Sequence, residues 1–204
     1  SLMVYNSGTA STMFAASGTA VYNVTSAGSV GSAVITSLTN ARFQSVNMTT
    51  SGGSFLFICN GADAPRHWNG SAWATPTLGS VTAANIINVE VYKERLFFVL
   101  KDSLTYGYLP VNAVAGTVAS VNLGSVFSKG GKIMAIATWT RDGGAGPDDN
   151  ILFFTDQGEI AMYSGTDPSD ATKWGLVGVY TVGRPIGHRC MLKVGSDCYL
   201  VTEN

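Results

Sequence analysis

The sequence predicts an all-β protein, and more specifically a β-propeller or a contiguous multi-blade portion of one. Three observations support this prediction. The composition is rich in residues typical of strands and turns, a hairpin pattern recurs along the chain, and the interval between copies is close to the length of a propeller blade. The 204 residues include 24 glycines, with 46% hydrophobic but only 12% charged residues. This composition is typical of many short strands joined by tight turns.

Four segments share one hairpin pattern. Each has an apolar strand with aromatic residues, a turn of Gly, Asp, Asn or Ser, and a second strand that ends in an aromatic residue. The segments are residues 11–26, 54–73, 95–110 and 151–168. Their first strands are anchored by Phe14, Phe57, Phe98 and Phe154, which are 43, 41 and 56 positions apart, and a partial fifth copy places Leu200 a further 46 on. The second strands carry Tyr22, Trp68, Tyr106 and Tyr163.

Further strands surround each hairpin. A strand-like run precedes each copy, at residues 2–6, 41–49, 85–92, 132–139 and 185–194, and a weaker run follows some copies, at 32–38 and 116–124. Three or four strands per repeat match a propeller blade, whereas the alternative, a two-sheet β-sandwich, needs no fixed period. We expect a single domain over residues 1–204, with approximate units 2–50, 51–91, 92–139 and 151–194 and the start of another at 195–204. The pattern begins and stops partway through a repeat, which favours a fragment of a larger ring.

Charge and cysteine content exclude several classes of function. With 12 basic and 13 acidic side chains the net charge is −1, so no overall field attracts nucleic acid. No apolar run reaches the length of a membrane helix, so we expect no membrane contact. Three cysteines without CxxC spacing predict buried free thiols at Cys59, Cys190 and Cys198 rather than a disulfide framework or a zinc site.

The acid-rich segment 140–150 is the longest insertion in the repeat and is predicted to be a surface loop. Its carboxylates, Asp142, Asp148 and Asp149, are suitable calcium ligands, but the alternating spacing of a calcium loop is absent. We therefore expect no metal or cofactor here. Insertions in repeat proteins often lie on a binding face, so these acids and Arg141 are candidate partner contacts.

No arrangement of residues predicts catalysis. Asp156 and Glu159 could form a carboxylate pair, but a short hairpin connection with Gly158 at positive φ explains them more simply. His67 lies in a strand, and His188 follows Gly187, which suggests a bulge. Nucleophile elbows, Walker loops and zinc-protease motifs do not occur. The protein is therefore predicted not to be an enzyme, with a hydrolase as the weakest alternative.

Trp68 and Trp73 flank Asn69-Gly70-Ser71-Ala72 on a predicted hairpin. If both rings are exposed they could stack on sugar faces, which makes a glycan-binding propeller the second functional hypothesis. The Asn-Gly pair is a type I′ turn signal, so cross-strand packing of the two rings is the structural alternative.

Residues 140–190 resemble proteins encoded in the structural modules of tailed phages and prophages, and "YKERLFFV" (92–99) and "NGSAW" (69–73) are similar to the same group. In architecture such proteins resemble the tail nozzle, or tail tubular protein B, and packaged-DNA stabilisation families. The resemblance implies a virion tail or head–tail structural protein, assembled in the bacterial cytoplasm, whose partners are other tail proteins and its own copies in a ring. This chain is far shorter than a whole nozzle protein.

Overall fold

The computed structural model describes residues 1–142 and 147–203, and within strands the side chains of residues 141, 142, 147 and 148 lie outside the described part. The protein is all-β, as the sequence predicts, with several antiparallel sheets, none of which is closed. Contacts divide the chain into two compact units. One comprises Ser1–Phe97 and Tyr108–Ala119, and the other Phe98–Gly107 and Ser120–Asn204.

The first two sheets are antiparallel and follow chain order. The first sheet consists of β1 (Leu2–Asn6), β2 (Ser11–Ser17) and β3 (Ala20–Asn23). The second sheet consists of β4 (Gln44–Thr50), β5 (Gly53–Cys59), β6 (Arg66–Trp68) and β7 (Trp73–Ala74). The first sheet has three strands. In place of a fourth strand, Ile35 forms an isolated bridge with Val21 of β3.

The third sheet again has four strands. The elements of this region are β8 (Leu78–Gly79), a 3₁₀ helix (Ala83–Asn85), β9 (Ile86–Tyr92), β10 (Arg95–Leu100), β11 (Thr105–Tyr108), β12 (Gly116–Thr117) and β13 (Ala119–Asn122). The sheet has the order β9-β10-β11-β13, while β8 and β12 form a separate short parallel pair.

The fourth sheet is the longest, and a two-stranded hairpin follows it. The fourth sheet has the order β14 (Ile133–Asp142), β15 (Pro147–Thr155), β16 (Glu159–Gly165) and β17 (Trp174–Thr181). The last hairpin pairs β18 (Met191–Val194) with β19 (Asp197–Leu200).

The four predicted hairpins and the strands before them are confirmed, with differences at the edges. The predicted strand 185–194 begins only at Met191, because residues 186–189 form bends and a turn. The run 32–38 contributes only the Ile35 bridge. The run 116–124 divides between β12 and β13, which belong to different sheets.

In the first unit, the core lies between the first and second sheets. Phe14 from β2 is fully buried and packs with Leu56 and Ile58 from β5. The four residues at the end of β5, Leu56 to Cys59, are all fully buried. Since successive side chains of a strand point to opposite faces, both faces of the second sheet are covered there.

In the second unit, the fourth sheet is also covered on both faces along β15. Phe153 stacks on Tyr106 of β11 with ring centroids 4.4 Å apart. The opposite face carries Phe154, which is 2% exposed and belongs to a cluster with the last hairpin's Met191 and Leu200. The predicted core anchors Phe14, Phe57, Phe98 and Phe154 are therefore all buried.

Candidate interaction surface

The predicted acidic surface loop is mostly strand. Thr140 pairs with Asp149, and the ladder continues to Asp142 opposite Pro147. The Thr140 hydroxyl also donates a 2.9 Å hydrogen bond to Asp149 Oδ1 across the ladder. The loop prediction is wrong for these residues because β14 and β15 prolong their pairing beyond the other strands, overriding the local turn preference of Gly, Pro and Asp.

The candidate contacts Arg141, Asp142 and Asp148 have side chains outside the described part, so their roles stay predictions. Asp149 is half-buried in β15. Among the described side chains, no group of three His, Cys, Asp or Glu residues could hold a metal ion.

Asp156 and Glu159 each accept hydrogen bonds from backbone N–H groups of the segment before β14. The connection between β15 and β16 has three residues, and Gly158 in it has φ of 74°, as the sequence predicts. Asp156 Oδ1 accepts a 2.9 Å hydrogen bond from the N–H of Lys132. Glu159 is 3% exposed and accepts hydrogen bonds from Ser128 and Lys129. Both acids therefore fix the segment that leads into β14.

Burial and hydrogen bonding act in opposite directions on Glu159. Burial alone raises the pKa of this carboxyl, but the Ser128 hydroxyl and the N–H groups of Ser128 and Lys129 stabilise the charged form. The net result is a pKa below the ordinary value. A carboxylate that is ionised and fully engaged with donors is suited to anchoring a loop rather than to transferring protons.

A similar carboxylate anchor in the first unit was not predicted from the sequence. Asp63 follows β5 and accepts hydrogen bonds from the N–H and hydroxyl of Thr39, at 2.9 and 2.7 Å. Asn60 donates a third, at 2.6 Å. Burial raises the Asp63 pKa, but these donors lower it more, so the net shift is downward. The spacing Asn60-Gly-Ala-Asp63, typical of an Asx turn, is the signal that could have revealed it.

Trp68 and Trp73 face each other across β6 and β7 and are half-buried. Their ring centroids are 5.7 Å apart, and both pack edge-on against Phe14 at 5.2 and 4.9 Å. Both indole Nε1 atoms are buried and make no hydrogen bond to the described residues. Stacking on a sugar needs an open ring face, so this geometry favours the cross-strand packing interpretation.

The turn between the two tryptophans differs from the predicted type I′ turn. Four residues connect the paired tryptophans, and of the Asn-Gly pair only Gly70 has positive φ. Asn69 Oδ1 instead accepts hydrogen bonds from the N–H groups of Ser71 and Ala72. A type I′ turn needs positive φ at both central residues, so the Asx geometry of Asn69 has replaced it.

The two histidines belong to different units, His67 to the first and His188 to the second. His67 is in β6, as predicted, where its ring packs edge-on against Phe55 at 5.4 Å and burial lowers its pKa. His188 is exposed, lies in a turn before β18 rather than at a strand bulge, and has Nδ1 3.1 Å from the carbonyl oxygen of Met134.

The three cysteines are free thiols, as predicted, but only two are fully buried. Cys59 and Cys190 are buried, and burial raises the pKa of each. Cys198 in β19 is half-buried, with Sγ 3.6 Å from the carbonyl oxygen of Thr138. It was expected to be buried because it lies in an apolar run, but the last hairpin has one covered face only.

An apolar groove lies beside β19 in the second unit. It has a volume of about 400 Å³. The floor is the fourth sheet, and the wall is β19, with Cys198 and Leu200. The floor includes Leu152, Phe154, Ile160, Met162 and Tyr180.

Exposed apolar residues concentrate in the same part of the chain. Of the 15 exposed large apolar side chains in the described part, nine lie within residues 176–201. We call these nine the 176–201 apolar surface: Leu176, Val177, Val179, Tyr180, Ile186, Leu192, Val194, Tyr199 and Val201. Leu192 and Tyr199 are directly paired across the last hairpin and are 61% and 56% exposed. Single exposed apolar residues are common on protein surfaces, whereas neighbouring ones such as Leu192 and Tyr199 are typical of interaction sites.

The fold and these exposed residues define an all-β protein of consecutive antiparallel sheets with exposed apolar side chains near its last hairpin. No protein-family model and no curated protein matches the chain. The one helix among the described residues, Ala83–Asn85, is too short to span a membrane.

Proposed function

We propose that this chain is a β-propeller, or a contiguous multi-blade portion of one, that acts as a structural protein of a phage or prophage virion. Its place is the tail or the head–tail junction, and it works through protein–protein assembly rather than catalysis. Its partners are other tail proteins and further copies of itself, with assembly beginning in the bacterial cytoplasm.

The order and packing of the sheets support the propeller. The second and fourth sheets each have four antiparallel strands in chain order. The third sheet also follows chain order, except that β12 pairs with β8 outside the sheet and β13 takes the fourth position. Consecutive sheets pack face to face: the first on the second through Phe14, and β11 of the third on the fourth through Tyr106 and Phe153. A sandwich has two sheets that face each other, whereas a propeller repeats one four-stranded sheet.

The observation that carries the assembly role is the 176–201 apolar surface. Inner strands such as β5 and β15 are covered on both faces, while the last hairpin presents Leu192, Val194 and Tyr199 to solvent. At about 25 cal/mol per Å² of apolar surface removed from water, covering this surface with a partner favours association. The virion assignment itself rests on the resemblance of residues 140–190 to phage structural proteins.

Particle composition tests this proposal. Phage particles would be induced from the strain that carries the gene, purified on a density gradient, and analysed by mass spectrometry and by immunogold labelling of the chain. We expect its peptides in the particle fraction and label at the tail end. Its presence in the lysate but absence from purified particles would overturn the virion assignment.

A variant pair tests the surface within the same experiment. Leu192→Glu combined with Tyr199→Glu places two charges on the exposed face of the last hairpin, and we expect incorporation into particles to be lost. Val111→Glu is the control, because Val111 is 43% exposed and lies outside the 176–201 apolar surface. Equal incorporation of both variants would exclude this surface as the assembly contact.

A further inference from the structure

The dipeptide Asn-Gly occurs twice in the chain, as Asn60-Gly61 and as Asn69-Gly70. In this dipeptide the backbone nitrogen of glycine can attack the asparagine side chain with little hindrance, because glycine has no side chain of its own. Both copies lie in the first unit and directly follow strands of the second sheet, β5 and β6. The effect of the fold on this reaction can therefore be separated from that of the sequence.

The side chain of Asn69 is folded back over the peptide that follows it, at the tip between β6 and β7. Its Oδ1 accepts three hydrogen bonds, from the Ser71 N–H at 3.0 Å, the Ser71 hydroxyl at 2.9 Å and the Ala72 N–H at 2.8 Å. Such an Asx turn brings Cγ of the asparagine next to the backbone nitrogen of the following residue. The reacting atoms, Asn69 Cγ and Gly70 N, are thereby held as neighbours, which favours their reaction.

The same three donors stabilise the charge that the reaction develops. When the Gly70 nitrogen adds to Cγ of Asn69, Oδ1 becomes an oxyanion, and donors already aimed at this oxygen lower the barrier. Both residues are exposed, so hydroxide and water reach them. Within the described part of the chain the Gly70 N–H donates no hydrogen bond, so its proton is removed without breaking one.

Asn60-Gly61 is held in a way that opposes the reaction. The Gly61 N–H donates a 3.0 Å hydrogen bond to the carbonyl oxygen of Ile86. Asn60 Nδ2 donates to the carbonyl oxygen of Asn40 at 3.1 Å and to Asp63 Oδ2 at 2.6 Å. The attacking nitrogen and the leaving nitrogen are therefore both engaged with acceptors, and both residues are half-buried.

We propose that Asn69 is a self-modification site that converts to aspartate and isoaspartate through a cyclic imide, while Asn60 stays intact. Hydroxide removes the Gly70 amide proton, and the nitrogen forms a bond to Asn69 Cγ. The Cγ–Nδ2 bond then breaks, and Nδ2 takes up a proton from water and leaves as ammonia. Water opens the ring at the side-chain carbonyl to give aspartate, or at the backbone carbonyl to give isoaspartate. Overall, one water is consumed and one ammonia is released.

The two products have different effects on the hairpin. Aspartate keeps an oxygen in place for the same three donors and adds a negative charge at the tip. Isoaspartate also lengthens the backbone by one methylene group between Trp68 and Trp73, which are directly paired across β6 and β7. The second product therefore disturbs the packing of these rings on Phe14, whereas the first changes the charge alone.

The inference goes beyond the proposed function and does not depend on it. The full chain would be incubated at mildly alkaline pH, folded in buffer and unfolded in urea, and sampled over time by mass spectrometry. Trypsin cleaves after Arg42, Arg66 and Lys93, so the two sites fall on separate peptides, 43–66 and 67–93. In the folded chain Asn69 should convert about tenfold or more faster than Asn60, whereas in urea the two rates should converge.

Two variants assign the reaction to the geometry at Asn69. Ser71→Ala removes the hydroxyl donor but keeps the N–H, and should slow conversion of the folded chain by about threefold or more relative to its own rate in urea. A melting temperature equal to that of the wild type would confirm that this variant folds. Asn69→Asp is the negative control, because it has no amide to lose, and its peptide 67–93 should gain no mass at this position.

Three outcomes would overturn the proposed site. They are conversion of Asn69 no faster than that of Asn60 in the folded chain, conversion of Asn69 that is slower when folded than in urea, and a Ser71→Ala variant with an unchanged ratio of folded to unfolded rates. Each would leave the virion proposal standing, because that proposal is tested by the presence of the chain in purified particles.

Discussion

The Ser128 hydroxyl donates a 2.6 Å hydrogen bond to Oε1 of Glu159, which lies 31 positions further along the chain. The N–H of Lys129 donates to the other carboxylate oxygen at 2.8 Å. Because Glu159 is only 3% exposed, these donors take the place of the water molecules that would hydrate an exposed carboxylate. The acid that the sequence offered as half of a catalytic pair is thus a structural anchor for the approach to β14.

Glu159→Gln should lower the free energy of unfolding by about 1 to 3 kcal/mol at pH 7, because the amide NH₂ of glutamine meets an N–H donor where the carboxylate accepted one. The folded-state pKa of Glu159 is lowered from its ordinary value of 4.5. Its stabilisation is therefore present above pH 4.5 and is lost as pH falls through the lower folded-state pKa. Urea unfolding of both proteins from pH 7 to pH 3 should show the difference shrinking in acid.

Glu94→Gln is the control for this pH series, since Glu94 is exposed in the turn between β9 and β10. It should change stability by less than about 0.5 kcal/mol. A Glu159→Gln difference that stayed constant down to pH 3 would contradict the anchoring role of the charge.

Phe154→Ala should destabilise the protein by about 3 kcal/mol or more, because a 2% exposed ring is removed from the face of the fourth sheet that the last hairpin covers. Phe55→Ala is the matched control, because Phe55 is only half-buried and packs edge-on against His67. Thermal unfolding followed by circular dichroism should show the larger loss for Phe154→Ala, and an unchanged melting temperature would refute its core position.

Gly158→Ala should destabilise by about 2 kcal/mol or more, through both backbone strain and a steric clash. Gly158 has φ of 74°, and an added Cβ would fall on the carbonyl oxygen of Val182. Gly18→Ala separates the two effects, since Gly18 has φ of 58° but open space around its Cβ position. If chemical unfolding shows the same loss of unfolding free energy for Gly158→Ala and Gly18→Ala, backbone strain alone accounts for the effect.

Trp73→Ala should lower the free energy of unfolding by about 2 kcal/mol, since the half-buried ring packs against Phe14 and Trp68. Trp73→Phe should recover much of this, because it keeps an aromatic ring on Phe14. Titration of the wild-type chain with oligosaccharides should leave the tryptophan emission unchanged. A saturable emission change that Trp73→Phe abolishes would instead support the glycan-binding hypothesis.

Cys198 should react first with a thiol reagent in the native state, because it is half-buried whereas Cys59 and Cys190 are buried with raised pKa values. Mass spectrometry of the native chain after brief labelling should find the adduct on the peptide that contains Cys198. Full labelling should follow only on unfolding, and early modification of Cys59 would contradict its burial.

The hairpins could be predicted from sequence because their signals are local. Alternating apolar residues, turn residues and a regular interval identified the strands of each copy, and Gly158 has the positive φ that its turn requires. The prediction that the four Phe anchors lie in the core is confirmed. It could be made because each anchor lies within an apolar strand.

The candidate sites were less predictable because their geometry depends on distant partners. Glu159 depends on Ser128 and Asp63 on Thr39, pairs that no local pattern joins. The ladder from Thr140 to Asp142 was not predictable, because the local turn preference of Gly and Asp contains no information about the strand that pairs with these residues.

The sequence by itself determined the all-β class, the repeated hairpins, the buried aromatic anchors and the positive φ of Gly158, since each follows from side-chain period and backbone preference within a few residues. Only the tertiary structure decided that Trp68 and Trp73 pack on Phe14, that the acids anchor backbone segments, and that an apolar groove lies between the fourth sheet and β19. The physical reason is that burial and hydrogen-bond satisfaction depend on which sheet lies opposite, and residues far apart in the chain supply that sheet.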